Sequence, residues 1–173
     1  MTDTIASLGP LERIDGRWVL GDARRPDGFR VEFREDGLYQ HERSGEGLLI
    51  PWSRIMLGVR LTLGAKYPHK GHGFGLRDCL PGPWKGHGSG YLHMTLRHPY
   101  EDFILRFTTH PHRYRATDVL LLEALLTHAV QEGEVHRLAA QDRLSRMVAQ
   151  LVPLKARTPG ALSRAVAGAW EAG

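Results

Sequence analysis

The sequence predicts an α+β domain that is mainly β. We expect a seven-stranded antiparallel sandwich or partly open barrel, closed by a C-terminal helix and followed by one or two additional helices. Apolar and polar residues alternate with period two in much of the chain before Pro111, and helical spacing replaces that alternation afterwards. The length of 173 residues and the hydrophobic content of 42% suit one globular domain with an appendage.

Seven short segments carry the strand pattern. In the second of them, Phe29, Val31 and Phe33 alternate with charged residues, as expected for a strand with one buried face. The predicted strands lie at 17–20, 29–33, 39–41, 48–50, 59–63, 91–96 and 103–107.

The tripeptide Glu35-Asp36-Gly37 predicts a hairpin between the second and third strands. A two-residue turn would place Phe33 opposite Gln40, whereas a three-residue loop would place Phe33 opposite Tyr39. The longer loop matches the apolar faces better, and it would put Gly37 in a left-handed conformation within a bulge.

The segment after Pro111 predicts the helix that covers the core. Thr117 or Asp118 can cap it, its apolar face is unusually broad, and Gly133 ends it. This helix is the last element of the predicted main domain.

A helical appendage is predicted over 134–173. Its first helix, over 134–152, is amphipathic, and the segment from Thr158-Pro159 is either a further helix or loose chain. The apolar stripe of the first helix packs on the same subunit, on a partner or on a second copy of the chain. If this stripe forms an interface, the predicted interface residues are Leu144, Met147, Val148 and Leu151.

The stretch 48–55, LLIPWSRI, resembles the fourth-strand region of bacterial pleckstrin homology (PH)-like domains. Seven antiparallel strands followed by a long apolar helix are also similar to the order of elements in that superfold, over roughly residues 14–132. The resemblance implies two packed sheets closed by a helix. It does not imply phosphoinositide recognition, because Glu32 stands where binding members of the superfold carry a basic residue.

Residues 67–90 interrupt the strand pattern with seven glycines and three prolines in 24 positions. Connections of this length are usually functional or disordered.

The net charge of +4 arises between residues 67 and 115, which hold seven Lys/Arg against three Asp/Glu. Glycine allows close backbone approach to an anion, and basic side chains supply the charge. The predicted anion-binding residues are Arg24, Arg25, Lys66, Lys70 and Lys85.

Metal binding is a second hypothesis for the same loop. The predicted ligands are His69, His72, Cys79 and His87, which are residue types that suit zinc, although no tightly spaced ligand pairs organise them. His110 and His112 are a weaker candidate for metal binding, and we interpret them instead as an exposed strand end and helix approach.

The sequence contains no recognised catalytic signature, so we expect neither enzymatic activity nor a cofactor. Nucleic-acid binding is disfavoured because single-strand binders carry several stacking aromatics along a basic groove. Here the candidate face offers one aromatic, Tyr91, with His93, Arg97 and Arg106.

A single cysteine and the lack of a long apolar run or leader pattern fit a cytoplasmic protein without a transmembrane segment. The sequence therefore predicts a cytoplasmic PH-like module that acts through protein contacts, either with a partner or by self-association. The alternative is a binder of an anionic ligand or acidic headgroup through the basic loops.

Overall fold

Two antiparallel sheets and three α-helices make up the computed structural model, which describes residues 6–43, 45–64, 89–156 and 158–173. The strands among these residues are β1 (Ser7–Leu8), β2 (Leu11–Ile14), β3 (Arg17–Leu20), β4 (Arg30–Phe33), β5 (Gly37–His41), β6 (Leu48–Pro51), β7 (Ile55–Gly64), β8 (Ser89–Leu96) and β9 (Glu101–Thr108). The α-helices are α1 (Ala116–Gln131), α2 (Gln141–Leu151) and α3 (Pro159–Ala172).

Each sheet follows the order of the chain. The first contains β1 to β6 and the second contains β7 to β9, with every neighbouring pair antiparallel. The sheets meet where β4 and β5 approach β9. There the side-chain oxygen of buried Gln40 accepts a hydrogen bond of 2.6 Å from the backbone N–H of Arg106.

The mixed α+β class with mostly antiparallel strands is confirmed, but the predicted number of seven strands is not confirmed. The seven predicted segments coincide with β3 to β9, and the described residues add the hairpin of β1 and β2. These strands have two and four residues, too few for a period-two pattern to stand out. The two sheets are separate hydrogen-bonded units, so a closed barrel is not confirmed.

The β4–β5 hairpin is tighter than predicted. Phe33 pairs with Leu38, and the backbone N–H of Arg34 donates to the carbonyl of Gly37, so Glu35 and Asp36 form the turn. Gly37 does not adopt a positive φ. It is required by close approach instead, because a Cβ at this position would lie 2.1 Å from the carbonyl oxygen of Ile50 in β6.

The C-terminal segments are helical, as predicted, with changed limits. Helix α1 packs on β7 and ends before Gly133, which has a φ of +68°. The predicted helix over 134–152 is a 3-10 helix, Val135–Ala139, followed by α2. The Thr158 hydroxyl accepts a hydrogen bond from the backbone N–H of Ala161, which is the N-cap that Thr158-Pro159 indicates.

Both predicted parts of the chain contribute to one buried cluster, which includes side chains from the sheets and from all three α-helices. Trp18 in β3 is fully buried and joins the sheet to α2, because its backbone N–H and its indole N–H donate to the side-chain and backbone oxygens of Gln141. The boundary between 14–132 and 134–173 stays a prediction. Among the described residues, no helix is long and apolar enough to cross a membrane.

Candidate functional site

The loop between β3 and β4 is fastened to the end of β9, and two polar sites lie beside it. The backbone N–H of Asp22 donates to the carbonyl of Thr108, and the N–H of Thr108 donates to the carbonyl of Phe29. The Thr108 hydroxyl also accepts from the N–H of Phe29 at 3.0 Å. These bonds fix the course of the loop at both of its ends.

The first site is a small cavity of about 110 Å³ that we call the arginine pocket. Its lining residues are Arg25, Asp27, Gly28, Phe29, Arg43, Ser89, Arg106 and Thr108. Three of these side chains are guanidinium groups, and one is a carboxylate. The residues come from the β3–β4 loop, the β5–β6 connection, the start of β8 and the end of β9.

Two of the arginines are arranged around one aromatic ring. The guanidinium carbons of Arg106 and Arg43 lie 4.6 and 5.8 Å from the centre of the Phe29 ring. Arg106 also donates two hydrogen bonds, of 3.1 and 2.8 Å, to the Ser89 hydroxyl, and Arg43 donates one of 2.6 Å to the backbone carbonyl of Asp27. Ring contact and these hydrogen bonds restrict the rotamers of both side chains.

Positive charge in the arginine pocket is not neutralised by ion pairs from the part of the chain that the structure describes. Within the described ranges, Arg25, Arg43 and Arg106 form no salt bridge with a carboxylate. Other arginines do form such pairs, for example Arg17 with Glu32 at 2.9 Å. The pocket therefore keeps guanidinium donors that an anion can use.

The structure places two of the predicted anion-binding residues, Arg24 and Arg25, at different sites. Arg25 lines the arginine pocket, whereas Arg24 turns towards two buried carboxylates. Lys66, Lys70 and Lys85 lie outside the described residues. Arg43 was not predicted to bind an anion, and Arg106 was predicted only on a basic strand face. Neither residue lies near Arg25 in the chain, so the sequence does not indicate that they share a pocket with it.

The second site is a cluster of Glu12, Asp22 and His110, which we call the carboxylate–histidine cluster. Each residue is at most 5% exposed, and each offers one ligand atom within 4.8 Å of the others. The residues come from β2, the loop after β3 and the segment after β9. The interpretation of His110 as an exposed strand end is therefore wrong, since only 3% of this residue is exposed.

Hydrogen bonds and charges surround the carboxylate–histidine cluster. Nε2 of His110 lies 2.8 Å from Oε1 of Glu12, and Nδ1 lies 2.7 Å from the Tyr114 hydroxyl oxygen. Arg24 Nη1 is 3.3 Å from both carboxylate oxygens of Glu12 and 3.8 Å from Asp22 Oδ1. Burial acts to raise the pKa of Glu12, but the His110 ring and the Arg24 guanidinium outweigh it and hold that pKa below its usual value.

Glu32 is a third buried acid, and basic side chains surround it. Glu32 has a side chain 7% exposed, and it contacts Arg17, Arg34 and His41 at 2.7 to 3.3 Å. Burial raises the pKa of Glu32, but hydrogen bonds from His41 and Arg34 and the charge of Arg17 lower it by more. Glu32 thus joins three neighbouring strands through their basic side chains.

The predicted interface residues of α2 pack inside the chain. All four are 0 or 1% exposed within a single copy and belong to the common core: Leu144, Met147, Val148 and Leu151. Helix α3 covers this side of α2, with buried Val166 and Trp170 in the same cluster. Intramolecular packing, one of the three placements open from sequence, accounts for the stripe.

Two predicted sites remain, the metal ligands of the 67–90 loop and the candidate nucleic-acid face. The metal ligands His69, His72, Cys79 and His87 lie outside the described residues. On the candidate nucleic-acid face, Tyr91 is 4% exposed and pairs with Arg106 across β8 and β9, so its ring is not available for base stacking.

Comparisons with protein-family models, with curated proteins and with solved structures found no match to this chain. The resemblance to PH-like domains accordingly stays a prediction from the residues of 48–55 and the order of the elements.

Proposed function

We propose that the chain binds phosphate-type anions in the arginine pocket. The observation that carries the proposal is the convergence of Arg25, Arg43 and Arg106, none of them paired with a carboxylate among the described residues, on one cavity of about 110 Å³. Of the alternatives that the sequence left open, this one corresponds to the anionic-ligand binder.

Phosphate fits the chemistry of this pocket better than a neutral ligand does. Guanidinium groups donate paired N–H bonds to two oxygens of one phosphate, and such charge-assisted hydrogen bonds are roughly twice as strong as neutral ones. The hydroxyls of Ser89 and Thr108 line the same cavity. Asp27 is the one carboxylate among the described lining residues, so the arginines exceed it by two charges.

The size of the pocket limits what enters it. Sites that enclose a whole drug-sized ligand have volumes of roughly 300–1,000 Å³, against about 110 Å³ here. The arginine pocket therefore takes the anionic group, and the rest of the ligand stays outside. A soluble phosphorylated compound and a phospholipid headgroup share that chemistry.

The interaction module predicted from α2 stays a prediction. The apolar residues on which it depended pack within the chain, so it has no comparable support. Lys66, Lys70 and Lys85 stay predicted contributors to anion binding.

Isothermal titration of the full chain with pyrophosphate at low ionic strength tests the proposal. We expect Arg25→Gln, Arg43→Gln and Arg106→Gln, combined in one protein, to lower the affinity by roughly 100-fold or more, because each lost charge-assisted hydrogen bond contributes about 1.5–3 kcal/mol. The matched control combines Arg146→Gln, Lys155→Gln and Arg164→Gln, three exposed residues elsewhere, with the same loss of charge.

The control should keep near-wild-type affinity when its folding is normal. Equal losses in both triple variants would mean that net charge, and not the arginine pocket, determines binding, and would refute the proposal. Sedimentation with vesicles that contain phosphatidic acid separates the two ligand sources. A headgroup site predicts cosedimentation that the pocket variant loses, and a site for soluble phosphates predicts pyrophosphate binding alone.

A further inference from the structure

We propose that the carboxylate–histidine cluster is a binding site for a divalent first-row transition metal ion, with Glu12, Asp22 and His110 as ligands. This site is separate from the arginine pocket and does not depend on the proposed anion binding. It also differs from the histidines and cysteine of the 67–90 loop, to which the sequence analysis assigned metal binding.

The first argument is the type and placement of the donor atoms. One imidazole nitrogen and two carboxylate oxygens suit zinc and its neighbours in the first transition row. Two ligand atoms on one tetrahedral zinc ion lie about 3.4 Å apart, given metal–ligand bonds of about 2.1 Å. The three ligand atoms lie within 4.8 Å of one another, so adjustments of about 1.4 Å or less bring the outermost pair to that spacing.

The second and independent argument is the state of His110 Nε2. This atom is buried in a side chain that is 2% exposed, and among the described residues it makes no well-formed hydrogen bond, although Glu12 Oε1 is 2.8 Å away. Buried polar atoms are nearly always satisfied, so an unsatisfied one calls for an explanation. Coordination of a cation between Nε2 and the two carboxylates supplies one.

Tyr114 holds the ring in an orientation that suits coordination. Its buried hydroxyl oxygen lies 2.7 Å from Nδ1 of His110 and accepts a hydrogen bond of 2.7 Å from the backbone N–H of the same residue. When Nδ1 carries the ring proton and donates it to this oxygen, Nε2 presents a lone pair to the carboxylates. Such a bond from the second ring nitrogen is the usual support of a metal-bound histidine.

Arg24 is the competitor for the site. Its guanidinium contacts both carboxylates, yet 54% of its side chain is exposed, so it can move into solvent without disturbing the core. Metal binding would therefore exchange one cation for another. If the cluster is only a structural network of Glu12, His110 and Arg24, no metal affinity should accompany it.

The test is a titration of the metal-free full chain with Zn²⁺ against a chromophoric chelator, with Mg²⁺ as the comparison ion. We expect one zinc site that is retained when the loop ligands are removed in a variant carrying His69→Gln, His72→Gln, Cys79→Ser and His87→Gln. Mg²⁺ should bind far more weakly, because imidazole is a poor ligand for it.

Three substitutions and one control substitution then distinguish coordination from a structural role. We expect Asp22→Asn to lower the zinc affinity by roughly tenfold or more and Tyr114→Phe by roughly 10- to 100-fold, whereas His136→Gln, at an exposed histidine elsewhere, should leave it unchanged. Arg24→Gln should raise the affinity, because it removes the competing cation without touching a ligand.

X-ray absorption at the zinc edge completes the test. Nitrogen and oxygen ligation with one imidazole, in the wild-type chain and in the loop variant, is the expected result. Sulfur ligation, loss of the site in the loop variant, or unchanged zinc binding in both Asp22→Asn and Arg24→Gln would overturn the proposal.

Discussion

Truncation of Leu144 separates a core position from an interface position. This side chain is fully buried within one copy of the chain, between α2 and the common core. Buried Leu→Ala changes remove the transfer free energy of the lost carbons and leave a cavity, at a cost of about 2–5 kcal/mol. We expect Leu144→Ala to lower the free energy of unfolding by about 3 kcal/mol.

For a chain of this length, that loss corresponds to a decrease in melting temperature of about 6–12 °C. Urea unfolding measures the free energy, and light scattering measures the mass in solution. Leu154→Ala is the matched control, because Leu154 is 37% exposed, and it should cost less than about 1 kcal/mol. If Leu144→Ala instead reduced the mass and left the unfolding free energy unchanged, the placement of Leu144 in the core would be refuted.

Three further predictions concern two acidic residues and one glycine. Glu123→Gln should raise stability at neutral pH, because burial raises the pKa of Glu123, and urea midpoints should show the gain shrinking as the pH falls through that raised pKa. Glu32→Gln should destabilise at neutral pH and flatten the loss of stability below about pH 4.5, since the pKa of Glu32 is lowered and its stabilisation disappears only as the pH falls through that value; an unchanged acid limb would contradict this. Gly37→Ala should cost at least about 2 kcal/mol in the free energy of unfolding, because its Cβ would collide with Ile50; wild-type stability would contradict it.

Strands and helices with a regular pattern could be predicted from the sequence. Alternation and short apolar runs identified β3 to β9, and the pair Thr158-Pro159 marked the start of α3. The register of the β4–β5 hairpin could not be predicted, because the need for Gly37 comes from β6, a strand outside the hairpin. Close approach between elements leaves no signal in a local window of sequence.

The candidate sites were harder to predict because they combine distant segments. Arg25 was found from a short basic run, but its neighbours Arg43 and Arg106 join it only after β9 meets the β3–β4 loop. Likewise, the sequence interpretation left His110 exposed, since nothing near it in the chain indicates that Glu12 lies beside it. Burial of a polar residue depends on partners that only the fold supplies.

The most direct test of anion binding at the arginine pocket is a phosphate titration of the isotope-labelled full chain, followed by amide chemical shifts at low ionic strength. Anion binding in the arginine pocket predicts saturable shifts centred on the amides of Gly28, Phe29, Ser89 and Arg106, which weaken as salt is added. They should be lost in the triple arginine variant and kept in the matched control. Saturable shifts confined to other parts of the chain, or none at all, would contradict it.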